Sequence, residues 1–212
     1  MAVIPPLRVL IVPRWGGIAE DDWYPWLIGE VGDAFPDVET VVAPMPDPSN
    51  PTIAGWVPAI AAAVGDQPAR LTRTVLVGHS VGCQAALRFL DGLADGTAVA
   101  AFVAVAGWWT VDEPWDTLMP WIETPVDLER VRARAGRVTL VLSDNDPFTS
   151  DHVKNAEAWS GRVGATVEMA PGRAHMNDRQ EPEVLSAILA EIERTLEPPA
   201  TAGNPYDGEE QP

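Results

Sequence analysis

The sequence VLVGHSVGCQ at residues 75–84 is the most informative part of this chain. Its apolar beginning predicts a buried strand, and the periodic apolar residues after it predict a helix. Between the two, residues 78–82 have the pattern G-x-S-x-G. In a strand-to-helix context, this pattern puts a serine on a sharp turn with its hydroxyl exposed above the sheet edge. Ser80 is therefore a candidate nucleophile.

Strand-like and helix-like segments alternate along the rest of the chain. Continuous apolar runs predict about six strands, at residues 7–12, 38–42, 74–77, 99–105, 138–142 and 165–169. Periodic apolar residues predict helices between and after them, at residues 23–35, 53–64, 81–90, 128–135, 151–159 and 182–196. Strands without polar alternation are buried on both faces, as in a mostly parallel sheet covered by helices on both sides. The sequence therefore predicts an α/β fold.

The domain organisation follows from length and composition. The chain has 212 residues, of which 46% are apolar, and this is enough for one large core. We expect a single domain over residues 1–196. Residues 197–212 are rich in proline, glycine and acidic residues, and we expect them to form a disordered acidic tail.

Charge and cysteine content exclude several classes of function. Lys and Arg number 14 against 31 Asp and Glu, giving a net charge of −17. Without a basic stripe, we expect no nucleic-acid partner and no attraction to an anionic membrane. Cys83 is the only cysteine, so an internal disulfide and a thiolate metal cluster are excluded. We see neither a signal peptide nor a run of transmembrane length, and we expect a cytoplasmic protein.

Polar residues after three of the predicted strands point to a hydrolase. Ser80 follows the third strand, SDNDPF at residues 143–148 follows the fifth, and PGRAHMN at residues 171–177 follows the sixth. The carboxyl ends of parallel strands meet at one edge of a sheet. A serine, an acid and a histidine therefore lie there in the order Ser, Asp, His, which is the order of an α/β-hydrolase. His175 is the histidine, and Asp144 and Asp146 are both candidates for the acid.

These motifs resemble a small α/β-hydrolase family, the serine hydrolases similar to retinoblastoma-binding protein 9 and the bacterial YdeN-like proteins. The resemblance covers about residues 7–196. It rests on WGG at 15–17, DWYPWL at 22–27, the G-x-S-x-G turn, DNDPF at 144–148 and His175. It implies a compact α/β-hydrolase fold and hydrolysis of esters or small amides without a cofactor. The family's Asp-Pro pairing matches at Asp146, which favours Asp146 over Asp144.

The expected roles are those of a Ser-His-Asp triad. Ser80 attacks a carbonyl carbon, His175 accepts its proton and delivers it to the leaving group, and Asp146 orients the imidazole. The oxyanion of the tetrahedral intermediate requires backbone N–H donors. We expect these from Val81, at the start of the helix, and from Trp15, in the loop after the first strand.

Other titratable residues near these motifs receive different interpretations. The side chain of His79 is expected to point away from Ser80 and to pack behind it. His152 is expected to have a surface or helix-capping role, and Asp178 to be a solvated loop residue. Asp112, Glu113 and Asp116 have no histidine beside them and fit no metal-site spacing, so we predict no metal.

Two loops depart from the family pattern. The first has Pro13-Arg14 where the family has His-Gly or Pro-Gly. Arg14 either holds a substrate carboxylate or pairs with one of the many acidic residues. The second, Gly172-Arg173-Ala174-His175, stands where the family often has paired glycines or Gly-His.

A tryptophan-rich insert, residues 107–125, follows the fourth predicted strand, where α/β-hydrolases commonly carry a lid. It contains Trp108, Trp109, Trp115 and Trp121. These side chains either line an apolar substrate pocket or fill the core beneath a loop. Trp108 and Trp109 are the candidate substrate contacts, although adjacent residues cannot both point the same way.

The most direct hypothesis is a hydrolase that cleaves a small ester, thioester or amide carrying an apolar group. Its partner is then a small-molecule substrate, and the sequence does not define an oligomeric state. Two alternatives remain open: a binding or scaffold protein with a weak triad, and an enzyme that uses the acyl-enzyme for transfer or cyclisation. Fold alone does not distinguish them.

Overall fold

The computed structural model describes residues 5–65 and 67–197, and it contains six strands and eight helices in this part of the chain. The strands are β1 (Arg8–Val12), β2 (Glu39–Val42), β3 (Thr74–His79), β4 (Ala101–Val105), β5 (Arg137–Leu142) and β6 (Thr166–Met169). The helices are α1 (Tyr24–Ala34), α2 (Ile53–Val64), α3 (Pro68–Leu71), α4 (Val81–Gly92), α5 (Met119–Glu123), α6 (Leu128–Arg134), α7 (His152–Val163) and α8 (Pro182–Leu196). The predicted alternation of strands and helices is confirmed.

The six strands form one sheet in the order β2-β1-β3-β4-β5-β6, and every neighbouring pair is parallel. All residues of β1, β3 and β4 are buried, whereas the edge strands β2 and β6 are partly exposed. Because all strands run the same way, their carboxyl ends lie along one edge of the sheet. The segments that follow β1, β3, β5 and β6 therefore meet there.

Each face of the sheet has its own hydrophobic core. On one face, Leu10 and Val12 of β1 belong to a cluster with residues of α2, α4, α6 and α7. On the other face, Val9 and Ile11 of the same strand belong to a cluster with residues of α1 and α8. This division explains why the strands are apolar at successive positions.

Two short helices, α3 and α5, were not predicted. Both have a proline in the first turn. Helix α3 has four residues and α5 has five, so neither is long enough to show an apolar period. Helix α7 continues four residues beyond its predicted end at Trp159. It ends at Gly164, which has φ of 72° and closes the helix in the left-handed conformation.

The predicted boundary of the domain at residue 196 coincides with the end of α8. The predicted disordered tail lies, apart from Glu197, outside the described residues. In residues 5–65 and 67–197, none of the helices has the length and apolar character needed to cross a membrane.

Candidate active site

Ser80 lies at the turn between β3 and α4 with φ of 56° and ψ of −120°. Such a conformation is costly for a residue with a side chain and persists only where its surroundings enforce it. The two glycines of the motif allow the turn. A Cβ on Gly78 would lie 2.8 Å from the backbone nitrogen of Cys83, and a Cβ on Gly82 would collide with the carbonyl oxygen of Val12. The helix can therefore start close against β1 and β3.

Ser80, His175 and Asp146 form a continuous chain of hydrogen bonds. His175 Nδ1 lies 2.7 Å from Asp146 Oδ2, and His175 Nε2 lies 2.8 Å from Ser80 Oγ. A carboxylate only accepts, so Nδ1 donates to it and Nε2 accepts from the serine hydroxyl. The second oxygen of Asp146 accepts from the N–H of Phe148 at 2.9 Å. The structure brings together the three residues selected from the sequence, and their catalytic roles stay a prediction.

Asp144, the rival acid, does not contact His175. Its Oδ1 accepts from the backbone N–H of Gly172 at 2.8 Å. Two neighbours, which the sequence analysis did not single out, hold the same loop: Ser143 Oγ accepts from the N–H of residue 173 at 3.0 Å, and Asn145 Oδ1 accepts from that of residue 174 at 2.7 Å. The side chains of residues 143–145 thus fix the loop that carries His175.

The candidate oxyanion donors Trp15 and Val81 line the same cavity as Ser80. In the loop after β1, the N–H of Gly16 donates to Pro48 O at 2.7 Å, and that of Gly17 donates to Arg14 O at 3.0 Å. The N–H groups of Trp15 and Val81 donate to no partner among the described residues. Val81 is the first residue of α4, where a free N–H is inherent to the helix.

The cavity above Ser80 has a volume of about 270 Å³ and is mostly apolar. Besides Ser80 and His175, its lining comprises Arg14, Trp15, Val81, Trp108, Val111, Trp115, Leu118, Phe148 and Asn177. The rings of Trp15 and Trp115 contact edge to face with centroids 5.2 Å apart, and Phe148 lies edge to face on His175 at 4.7 Å. Trp115 and Phe148 are 40% and 41% exposed, so they form the outer rim.

The four tryptophans of residues 107–125 divide between the two predicted roles. Trp108 and Trp115 line the cavity. Trp121 is 1% exposed and packs in the core. Trp109 is not among the residues that line the cavity; its ring packs on Trp159 at 5.3 Å, with the Arg162 guanidinium 4.8 Å from its centroid. We therefore retain Trp108 as a candidate substrate contact and withdraw Trp109.

Arg14 lines the cavity, but its charge is paired within the protein. Its guanidinium binds Asp22 through two hydrogen bonds of 2.6 and 3.0 Å, and it also donates to Trp15 O at 2.9 Å. The hydrogen bond with Asp22 raises the pKa of Arg14. This placement favours the second alternative from the sequence, pairing with an acidic residue.

His79 is fully buried behind Ser80. Its Nδ1 lies 2.8 Å from Tyr24 Oη, and its Nε2 lies 3.0 Å from the backbone oxygen of His175. Burial lowers the pKa of His79 well below its ordinary value and raises the pKa of the Tyr24 phenol. Both side chains are therefore neutral.

Neither His152 nor Asp178 lines the cavity. His152 is the first residue of α7, and the Asp178 side chain is 74% exposed, 3.9 Å from Arg173. In the described part of the chain, no three His, Cys, Asp or Glu side chains are grouped as ligands for a metal ion.

Known proteins resemble this chain in sequence and in fold. A family model described as serine hydrolase matches residues 9–191. YdeN of Bacillus subtilis (strain 168) is 28% identical over 145 residues, which are 67% of this chain and 74% of YdeN. The crystal structure of the B. subtilis ydeN gene product superposes with a TM-score of 0.73 at 20% identity, over 88% of this chain and 99% of that one. Est1E from Butyrivibrio proteoclasticus superposes with a TM-score of 0.65 at 16% identity, over 90% of each chain.

The structural matches are likenesses of fold, and they confirm the α/β-hydrolase fold. The sequence relative and the family model confirm the predicted resemblance to YdeN-like serine hydrolases. Because the family model spans most of the chain, from β1 into α8, this protein belongs to the serine hydrolase family and is an enzyme.

Proposed function

We propose that this enzyme hydrolyses a small, uncharged ester, thioester or amide that carries an aromatic or other bulky apolar group. One observation supports this above all: an unbroken hydrogen-bond chain runs from Asp146 through His175 to Ser80 and ends in an apolar cavity. A serine hydroxyl needs such a partner, because it is a weak nucleophile until a base takes its proton.

The geometry supports a two-step reaction. As Ser80 Oγ forms a bond to the substrate carbonyl carbon, its proton passes to His175 Nε2. The negative oxygen of the tetrahedral intermediate lies between the N–H groups of Val81 and Trp15, each contributing about 3 kcal/mol. The intermediate then expels the alcohol, thiol or amine, which takes the proton from His175 and leaves an acyl group on Ser80. Water, deprotonated by His175, releases the acid by the same path.

The lining of the cavity supports the choice of substrate. Four aromatic side chains and three aliphatic ones surround Ser80, and a volume of about 270 Å³ is of the size that holds a single ring. Arg14 is the only side chain in this lining with a permanent positive charge, and the carboxylate of Asp22 already neutralises that charge. A substrate carboxylate would have to displace Asp22, so an uncharged apolar group fits better.

Labelling with a fluorophosphonate probe tests the proposal. The wild-type enzyme should be labelled at Ser80, whereas Ser80→Ala and His175→Ala should not be labelled above background. Folding of all three proteins is checked by circular dichroism. A well-folded wild type that resists labelling would contradict the proposal and would favour a scaffold protein with an idle triad.

A nitrophenyl ester separates hydrolysis from acyl transfer. Hydrolysis gives continued release of nitrophenol in water alone. A burst of one equivalent without turnover, resumed only when an alcohol or amine acceptor is added, would contradict hydrolysis and indicate transfer or cyclisation.

A further inference from the structure

A buried chain of hydrogen bonds joins the two loops that the proposed reaction depends on. The N–H of Arg14, next to Trp15, donates to Tyr24 Oη at 3.1 Å. Tyr24 Oη lies 2.8 Å from His79 Nδ1, and His79 Nε2 lies 3.0 Å from the backbone oxygen of His175. The side chains of Tyr24 and His79 have no exposed surface.

The direction of every bond in this chain is fixed by its acceptor groups. A backbone carbonyl only accepts, so His79 Nε2 carries a hydrogen and donates to His175 O. In the neutral imidazole Nδ1 then has a lone pair, and it accepts from the Tyr24 hydroxyl. The oxygen of that hydroxyl is in turn free to accept from the N–H of Arg14. With these donors and acceptors, the N–H of Arg14, the Tyr24 hydroxyl, both ring nitrogens of His79 and the carbonyl of His175 all have a partner. The other tautomer of His79 would leave some of them unpaired.

A protonated His79 would break the arrangement. Its protonated Nδ1 would no longer accept from the Tyr24 hydroxyl, whose hydrogen would lose its partner. The fully buried charge would also lie beside the ring of His175, whose centroid is 5.7 Å away. Burial, followed by the proximity of His175 and Arg14, lowers the pKa of His79. The neutral form is thus maintained by its surroundings.

The loop that carries His175 needs such support because its backbone is strained. Ala174 and Met176, on either side of His175, have φ of 46° and 54°. Residues with a Cβ adopt this conformation at a cost and only where other contacts hold them. The carbonyl of His175 is held by His79, and that of Met176 accepts from Trp23 Nε1 at 3.0 Å. The last residue of β3 and the residue before α1 therefore restrain the loop of His175 from behind.

We propose that His79, oriented by Tyr24, is a positioning residue that holds the carbonyl of the general base His175 and so keeps its ring at hydrogen-bond distance from Ser80. This inference rests on the proposed function. Neither residue lines the cavity, so neither contacts the substrate. Their removal should lower kcat and leave KM nearly unchanged.

Two substitutions of His79 separate this role from general stabilisation. An Asn amide falls near the position of Nδ1 and keeps an acceptor for Tyr24, but it loses the donor to His175 O. A Gln amide reaches the position of Nε2 and keeps that donor. His79→Asn should lower kcat about 10- to 100-fold, as expected when a catalytic group shifts by a fraction of an ångström to one ångström. His79→Gln should remain within about fivefold of wild type, the effect of one neutral hydrogen bond.

The assay is run with a nitrophenyl ester at a temperature where every variant is fully folded by circular dichroism. His152→Gln, at the start of α7, controls for loss of a histidine and should behave like wild type. Equal kcat values for His79→Asn and His79→Gln would overturn the proposal, because a purely structural role does not distinguish them. Failure of wild type to label with a fluorophosphonate would instead refute the underlying function.

Nuclear magnetic resonance gives a second test that does not depend on activity. The chain has three histidines, so the ring nitrogens can be assigned from single substitutions. His79 should show the neutral Nε2–H form between about pH 6 and 8, and Tyr24→Phe should change its Nδ1 signal. A neutral Nδ1–H form, or a charged ring at pH 7, would overturn the proposed direction of the chain.

Discussion

The Asp112 carboxylate accepts a hydrogen bond from the backbone N–H of Ser150 at 2.9 Å. The N–H of Asp112 donates to Phe148 O at 3.0 Å. Residues 107–125 are thus tied to the segment that follows Asp146. We expect this tie to hold Trp108 and Trp115 over the cavity.

Substitution of Asp112 should weaken substrate binding more than chemistry. Asp112→Ala removes the acceptor, and KM for an aromatic ester should rise about three- to tenfold, the order expected for one hydrogen bond, with little change in kcat. Asp112→Asn keeps an acceptor oxygen and is the matched control. The hydrogen bond from Ser150 lowers the pKa of Asp112, so the tie is present at neutral pH and is lost only as pH falls through that lowered value. A kcat defect with unchanged KM would contradict this role.

The choice of Asp146 over Asp144 can be tested by paired amides. Asp146→Asn should lower kcat by about 10³- to 10⁴-fold, because the amide no longer holds His175 in the tautomer that accepts from Ser80. Asp144→Asn keeps an oxygen for the N–H of Gly172 and should cost less than about fivefold. Steady-state kinetics on one ester measures both. Comparable losses in the two variants would contradict the assignment.

The aromatic rim should determine which acyl groups are accepted. Phe148→Ala and Trp115→Ala should each reduce kcat/KM for a phenyl-substituted ester about tenfold. The value of kcat/KM for an acetate ester should change by less than about threefold, because only the larger substrate buries apolar surface against these side chains. Both side chains are about two-fifths exposed, so thermal stability should change little. Equal losses for the two esters would indicate a role in positioning His175 instead.

The close approach of α4 to β1 should make Gly82 intolerant of a side chain. A Cβ at Gly82 would lie 2.6 Å from Pro13 O as well as against Val12 O, and both are backbone atoms that cannot move cheaply. Gly82→Ala should destabilise the protein by about 1–3 kcal/mol and abolish labelling of Ser80. Gly32 is an exposed position of α1 where a Cβ meets nothing within 4 Å, so Gly32→Ala should stabilise by up to about 1 kcal/mol. Urea denaturation measures the free energy of unfolding of both variants. Equal changes at Gly82 and Gly32 would contradict the steric argument.

Much of the site could be predicted because the sheet is parallel. Ser80, Asp146 and His175 are far apart in sequence, but each follows a strand, and parallel strands end at one edge. Their order along the chain therefore implied their proximity.

The lining of the cavity and the hydrogen bonds behind Ser80 depend on where individual side chains point. The apolar periodicity of the sequence does not predict this. Whether Trp108 or Trp109 faces the cavity is decided by the path of the chain after β4. The bond between Tyr24 and His79 joins two fully buried residues that are 55 positions apart in sequence. In the sequence, Tyr24 has the pattern of an ordinary core residue of a helix, so its hydrogen bond with His79 could not be predicted.

Burial of His79 in its neutral form should make stability depend on pH. The unfolded chain binds a proton at His79 below about pH 6.5, whereas the folded protein, in which its pKa is lowered, does not. The unfolded state then holds more protons, so the free energy of unfolding falls as pH decreases, by up to about 1.4 kcal/mol per unit. His79→Gln has no titrating group at this position, so its free energy of unfolding should fall less steeply between pH 6.5 and 5.5. Urea denaturation at these two pH values measures both slopes, and parallel slopes for wild type and variant would show that His79 takes up a proton equally in both states.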